Sequence, residues 1–208
     1  MNEAKFLYQR PSFPKLIIIS GPSGVGKDTI ARGVIAKNPE NYYFVVTATT
    51  RPPREGEVHG YDYFFLSNDE FTTMIEEDEL LEYAVVYNDF KGVPKQQIRD
   101  ALDSNRDVIM RVDVQGVATI RQLIPNAITV FLMTDSEAEL ERRLRARHSG
   151  STEDLDLRIA TAREEMARMV EFDYCVLNSE GAQEESIAQI MSIIEAAHCA
   201  VEQTPIEL

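Results

Sequence analysis

The 208-residue chain is 44% hydrophobic and 27% charged, and 35 acids against 21 Lys and Arg give a formal net charge of −14 at pH 7. That length and apolar fraction suit one globular domain with a full core, and the acidic balance excludes a broad non-specific nucleic-acid surface. No apolar run approaches the ~18 residues of a membrane-spanning helix. In chain order, residues 1–15 lack the apolar core of a secretory signal and are short for a transit peptide. The expected compartment is therefore the cytoplasm, or an organelle stroma or matrix if a transit peptide has been removed. Cys175 and Cys199 form no metal or redox motif, which fits a reduced intracellular setting. Strand-like runs fall at 16–20, 43–48, 107–113, 127–133 and 173–177, and helical patterns at about 28–37, 68–76, 94–104, 115–123, 136–147, 152–170 and 183–202. This alternation predicts an α/β fold with a mostly parallel sheet flanked by helices. Ser136 with Glu139, and more weakly Ser151 with Asp154, read as helix starts. Two stretches break the alternation: 47–93, read as an inserted lobe, and the polar tip 144–153, which is either a flexible lid or an ordinary surface loop.

The most informative stretch is LIIISGPSGVGKDT at 16–29. An apolar β-branched run meets a turn made of Gly21, Pro22, Ser23, Gly24, Val25 and Gly26, then Lys27, Asp28 and Thr29 open a helix. Gly21-x4-Gly26-Lys27 is the spacing of a phosphate-binding loop. Its glycines let backbone N–H groups turn around an anion, and the helix N-terminus adds partial positive charge. Asp28 stands where a metal-binding Ser or Thr is usual, and Thr29 follows it.

Arg51 and Arg54 flank two prolines that stiffen the segment. Beside Tyr61 and Tyr63 they read as a fork for a phosphate monoester, or as a solvated basic turn. Glu82 lies in the apolar run LLEYAVVY, as a solvent-facing strand residue or a buried acceptor. A carboxylate there can accept from N1–H and the exocyclic amine of guanine, a donor pair that adenine lacks. Asp113 ends the strand VIMRVD, as a magnesium ligand or a helix N-cap. Arg142, Arg143, Arg145 and Arg147 crowd one helix end, with Arg158 beyond the polar tip. Some of them suit the helix dipole, but such density in an acidic chain points to closure over a polyanion and to phosphoryl transfer.

Together GPSGVGK (21–27), TTRPPREGEVHGYDYFF (49–65), LLEYA (80–84), VDVQG (112–116), the arginine helix (142–147), Arg158 and VLN (176–178) resemble guanylate kinases, in family order. The segment 87–100 resembles a plant organelle-type variant. The resemblance implies a P-loop NTPase fold with a core (1–46, 94–135, 164–208), a GMP-binding lobe (47–93) and a helical lid (136–163). It implies transfer of the γ-phosphoryl of ATP to GMP or dGMP, with Mg²⁺, in purine nucleotide metabolism. The P-loop residues 21–29 and Asn178 would bind ATP. Thr47, Arg51, Arg54, Tyr63, Glu82, Lys91 and Asp113 would bind GMP. Lys27, Arg54, Arg147 and Arg158 would be catalytic, with Arg143 assisting in the lid. Asp28, Thr29 and Asp113 are the candidate magnesium ligands. Nucleic-acid and membrane partners are not expected, and oligomeric state is left open. Asp28, Ala48, Lys91, Val93 and Arg111 depart from the commoner family pattern. A non-catalytic, phosphopeptide-binding guanylate-kinase-like module is disfavoured by the intact P-loop. A sugar-phosphate kinase is disfavoured by Glu82 and the Arg51/Arg54 pair.

Overall fold

The computed structural model describes residues 12–86, 88–147 and 152–208, with the side chains of 147 and 152–154 outside that description. Its centre is a five-stranded parallel sheet in the order β2-β7-β1-β8-β9, built from β1 (Leu16–Ser20), β2 (Tyr42–Phe44), β7 (Asp107–Arg111), β8 (Ile128–Met133) and β9 (Tyr174–Leu177). β1 is buried along its whole length, which explains its unbroken aliphatic run: a strand covered on both faces has no solvent side to alternate with. Leu16 and Ile18 face α3 (Lys95–Asp103) and α4 (Val114–Leu123). Ile17 and Ile19 face α1 (Lys27–Lys37) and α7 (Gln183–His198). α1 and α7 pack closely enough that a Cβ on Gly33 would lie 2.3 Å from Ile187 Cδ1.

A second, four-stranded sheet runs β4-β3-β6-β5, from β3 (Ala48–Thr49), β4 (Phe64–Phe65), β5 (Leu80–Val86) and β6 (Asp89–Pro94). It has its own small core, in which Phe71 of α2 (Asn68–Glu76) stacks on Phe90 at 5.2 Å and packs on Ala48 and Leu80. Ser67 and Glu70 close a reciprocal capping box at the start of α2. A third cluster, Leu140, Leu144, Leu155, Ile159 and Ala162, joins α5 (Glu137–Arg147) to α6 (Thr152–Ala167).

The run 43–48 is not one strand. Tyr42–Phe44 pairs in the main sheet and Ala48–Thr49 in the second, so the chain changes sheet across 45–47. The helix expected over 152–170 gives way after Ala167 to a 3-10 turn at Arg168–Glu171, and the last helix ends at His198. Ser136 Oγ accepts from Glu139 N at 3.2 Å, but the Glu139 side chain turns to Arg142 and Arg143 instead of closing a box. Ser151 lies outside the described residues.

Candidate active site

The loop between β1 and α1 is shaped by close approach. A Cβ on Gly21, at φ 135°, would lie 2.3 Å from Leu132 O. One on Gly26, at φ 101°, would lie 2.6 Å from Asn178 Nδ2. Both positions combine a left-handed backbone with a backbone or amide wall, so only glycine fits. Lys27 Nζ donates to Gly21 O at 2.5 Å and Pro22 O at 3.1 Å. Burial lowers its pKa to about 8, against the opposing pull of Glu165. Ser23 N in the same loop donates to Glu165 Oε2 at 3.2 Å. Burial raises the Glu165 pKa, and Lys27 works in the other direction.

Two residues expected at the nucleotide also hold the loop itself. Asn178 Nδ2 donates to Val25 O at 2.7 Å. Arg143 donates to Val25 O at 3.3 Å, to Asn178 O at 3.0 Å and to Glu139 Oε1 at 2.6 Å. The carbonyl that ends the loop is thus fixed from β9 and from α5 together.

Across the cleft, Arg51 grips Glu57 with two hydrogen bonds of 2.9 Å and lies 5.2 Å from the Tyr63 ring centroid. Arg54 N donates to the same Glu57 at 2.7 Å. Burial raises the Tyr63 phenol pKa and lowers that of the Lys91 ammonium. Glu82 projects from β5 into the cavity and is only 6% exposed. Burial, and secondarily Asp113, raise its pKa to about 8. Its Oε2 would lie 2.7 Å from a Cβ on Gly116, so that glycine makes room for the carboxylate. Asp113 N-caps α4, its Oδ1 accepting from Gly116 N at 3.0 Å. Thr47 is buried on the wall of the same cavity.

Asp28 and Arg111 occur together. Arg111 Nη1 is ion-paired with Asp28 Oδ1, and Nη2 donates to Asp62 O. Thr29 is exposed on the first turn of α1. No cluster of three or more metal-type side chains occurs among the described residues.

Two adjoining cavities join these groups. One, of about 100 Å³, holds Lys27, Thr47, Glu82, Lys91 and Asp113. The other, of about 270 Å³, is walled by the loop from Ser23 to Lys27 and by Arg51, Arg54 and Arg158. The side chain of Arg147 lies outside the described residues. Glu165 had no sequence signal except its spacing: it lies seven residues, two helical turns, beyond Arg158 on α6. Arg32, whose contacts are described below, reads in sequence as an ordinary helix-surface arginine.

A parallel α/β sheet with a glycine loop at the C-terminal end of its central strand, facing arginines from the loop after β3 and from a helix pair, defines a P-loop kinase acting between phosphates. The sequence profile of the guanylate kinase family matches residues 13–197. The chain is 48% identical over 199 residues to guanylate kinase 2, chloroplastic/mitochondrial, of Oryza sativa subsp. japonica, covering 95% of this chain and 70% of that protein. It is 40% identical over 188 residues to the guanylate kinase of Halalkalibacterium halodurans, covering 90% and 91%. The crystal structure of guanylate kinase from Anaplasma phagocytophilum superposes with a TM-score of 0.76 at 28% identity, over 91% of this chain and 88% of that one. The chain belongs to the guanylate kinase family.

Proposed function

We propose that this protein transfers the γ-phosphoryl group of ATP to GMP or dGMP, giving ADP and GDP for purine nucleotide recycling. Family membership supports the reaction. The observation that carries the site is that one cavity is shared by the phosphate loop, the Arg51/Arg54 pair and Arg158. In this reading the loop N–H groups and Lys27 hold the donor phosphates, and Arg158, joined by Arg147, neutralises charge on the transferring group. Arg51, Arg54, Tyr63 and Lys91 receive the GMP phosphate, while Glu82 reads the guanine edge with Thr47 beside it. The attacking phosphate oxygen is already anionic, so positioning and electrostatics suffice without a strong base.

Magnesium fits the donor set. Mg²⁺ keeps several waters and needs only one or two carboxylates beside the phosphates. Asp113 commits only Oδ1 to its cap, which leaves Oδ2 for a bound water or the metal. Asp28 spends one oxygen on Arg111, leaving Thr29 or water to take up the usual hydroxyl's part. When bound, the ion would offset charge between the β- and γ-phosphates. No helix among the described residues is long and apolar enough to cross a membrane. The proposed compartment is the cytoplasm or an organelle interior.

Coupled ADP-release assays with ATP and Mg²⁺ across GMP, dGMP, IMP, AMP, CMP and UMP test this reading. GMP and dGMP should be strongly preferred. Turnover of AMP equal to that of GMP would overturn the role of Glu82.

A further inference from the structure

Two arginines from the main sheet layer converge on three consecutive residues of the segment leading into β4. Arg32, on α1 one turn and a residue past Lys27, donates from Nη2 to Tyr61 O at 2.8 Å and to Asp62 Oδ1 at 2.9 Å. Its guanidinium lies 4.0 Å from the Tyr61 ring centroid and 5.2 Å from that of Phe44. Asp62 Oδ2 is held in turn by Val58 N at 2.8 Å, so the carboxylate is fixed on both oxygens. Arg111, paired with Ile19 at the end of β7, donates to Asp62 O and lies 4.2 Å from the Tyr63 ring centroid. It is 6% exposed, its charge is met by Asp28, and its buried Nε has no hydrogen-bond partner among the described residues.

An exposed ion pair would contribute little. This contact differs in three ways. The Arg32 and Asp62 side chains are only about a quarter exposed, at 26% and 25%. Two of the acceptors are backbone carbonyls, which fix the chain and not only a side chain. Both guanidiniums stack on aromatic rings, where a planar cation does better than an ammonium. Every group in the contact belongs to the chain itself, so the strap needs no nucleotide to form.

We propose that Arg32 and Arg111 are positioning residues that pin residues 61–63 to the P-loop helix and the central sheet, and so hold Tyr63 and the acceptor lobe in register with the phosphate loop. The consequence for catalysis rests on the reading of Tyr63 as an acceptor-phosphate residue. The Asp28–Arg111 pair then has a purpose of its own: Asp28 supplies the counter-charge that lets a buried arginine reach the lobe.

Removing Arg111 would strand Asp28 and unsettle a buried site, so the test falls on Arg32 and Asp62. With Arg32→Ala, KM for GMP should rise about five- to tenfold while kcat and KM for ATP stay within about twofold. Arg32→Lys should fall between the two, and Asp62→Ala in the Arg32→Ala background should add little. An activity-independent readout uses spin labels at Glu40→Cys and Glu55→Cys with Cys175 and Cys199 changed to Ser. The ligand-free distance distribution should broaden in Arg32→Ala. An unchanged distribution would overturn the strap, as would equal rises in KM for ATP and GMP. Because that distribution is measured without turnover, failure of the wild type to phosphorylate GMP would count against the proposed function and leave the strap standing or falling on the distances.

Discussion

Glu82 lies where its environment and the duty proposed for it conflict. To accept from both guanine donors the carboxylate must be charged, yet burial raises its pKa to about 8, so near neutral pH the free protein holds it mostly protonated. Binding guanine should therefore expel a proton. Titration calorimetry of GMP at pH 7 in two buffers of different ionisation enthalpy should show proton release in the wild type and much less in Glu82→Gln. The same variant should erode the preference for GMP over AMP. Gly116 bears on this residue from behind: Gly116→Ala would place its Cβ 2.7 Å from Glu82 Oε2 and displace the carboxylate. We expect KM for GMP to rise about tenfold or more with KM for ATP little changed, since steady-state kinetics separates the two sites. Lys27 presents the opposite case. Among the described residues it meets no carboxylate in hydrogen-bond range, only the carbonyls of Gly21 and Pro22. Lys27→Ala should lower kcat by ~10²-fold or more, as expected when a charge aimed at a transition state is lost.

At the scale of elements, the phosphate loop depends on strands and helices distant in sequence. Val25 O is held by Asn178 at the end of β9 and by Arg143 on α5. Asn178→Ala removes a buried hydrogen bond and should cost about 1–2 kcal/mol of stability, with a rise in KM for ATP as the loop loosens. Thermal melts and ATP kinetics check both. By contrast, Arg163 bonds Glu137 and Glu141 on an exposed face. Arg163→Ala should change stability by less than about 0.5 kcal/mol. The difference also explains what the sequence made legible. The strand–glycine turn–helix context of 16–29 shows in sequence because each part is a local rule of propensity, sterics and spacing. The α/β layering shows because buried parallel strands lose their alternation. The split of 43–48 does not show: YFVVTA reads as one strand-like run, and local preference says nothing about which sheet an extended residue joins. Nor do the directions of Asn178, Arg143 and Arg32, since a side chain's partner is set by where a distant strand or lobe comes to lie. Lys27, Arg51, Arg54, Tyr63 and Glu82 stood out by residue type and neighbourhood, but only the fold puts them around adjoining cavities.

For the molecule as a whole, buried groups in the cleft make stability depend on pH. Unfolded, Glu82 titrates near the ordinary 4.5, and folded near 8. Between those values the folded state holds a proton that the unfolded state has lost. The Glu82 contribution is therefore complete below about 4.5 and disappears as pH rises through 8. Glu165, also raised by burial, acts in the same direction. Lys27 titrates near 10.5 unfolded and about 8 folded, so its unfavourable burial is relieved only as pH climbs from about 8 toward 10.5. Between pH 5 and 7.5 the carboxyls dominate, and the free protein should lose stability at up to ~1.4 kcal/mol per pH unit from Glu82 alone. The chain's net charge of −14 adds repulsion as the remaining acids ionise, so wild-type melting by itself cannot isolate the cleft. Glu82→Gln can. Glutamine copies the shape and neutrality of the protonated carboxyl, so wild type and variant should melt at nearly the same temperature at pH 5. By pH 7.5 they should diverge, with the variant the more stable. Melting curves that stay a constant distance apart from pH 5 to 7.5 would mean that Glu82 is not the residue through which the folded cleft senses protons. A gap that widens with pH would show that the protein sacrifices stability near neutral pH to keep an ionisable carboxyl buried in its cleft.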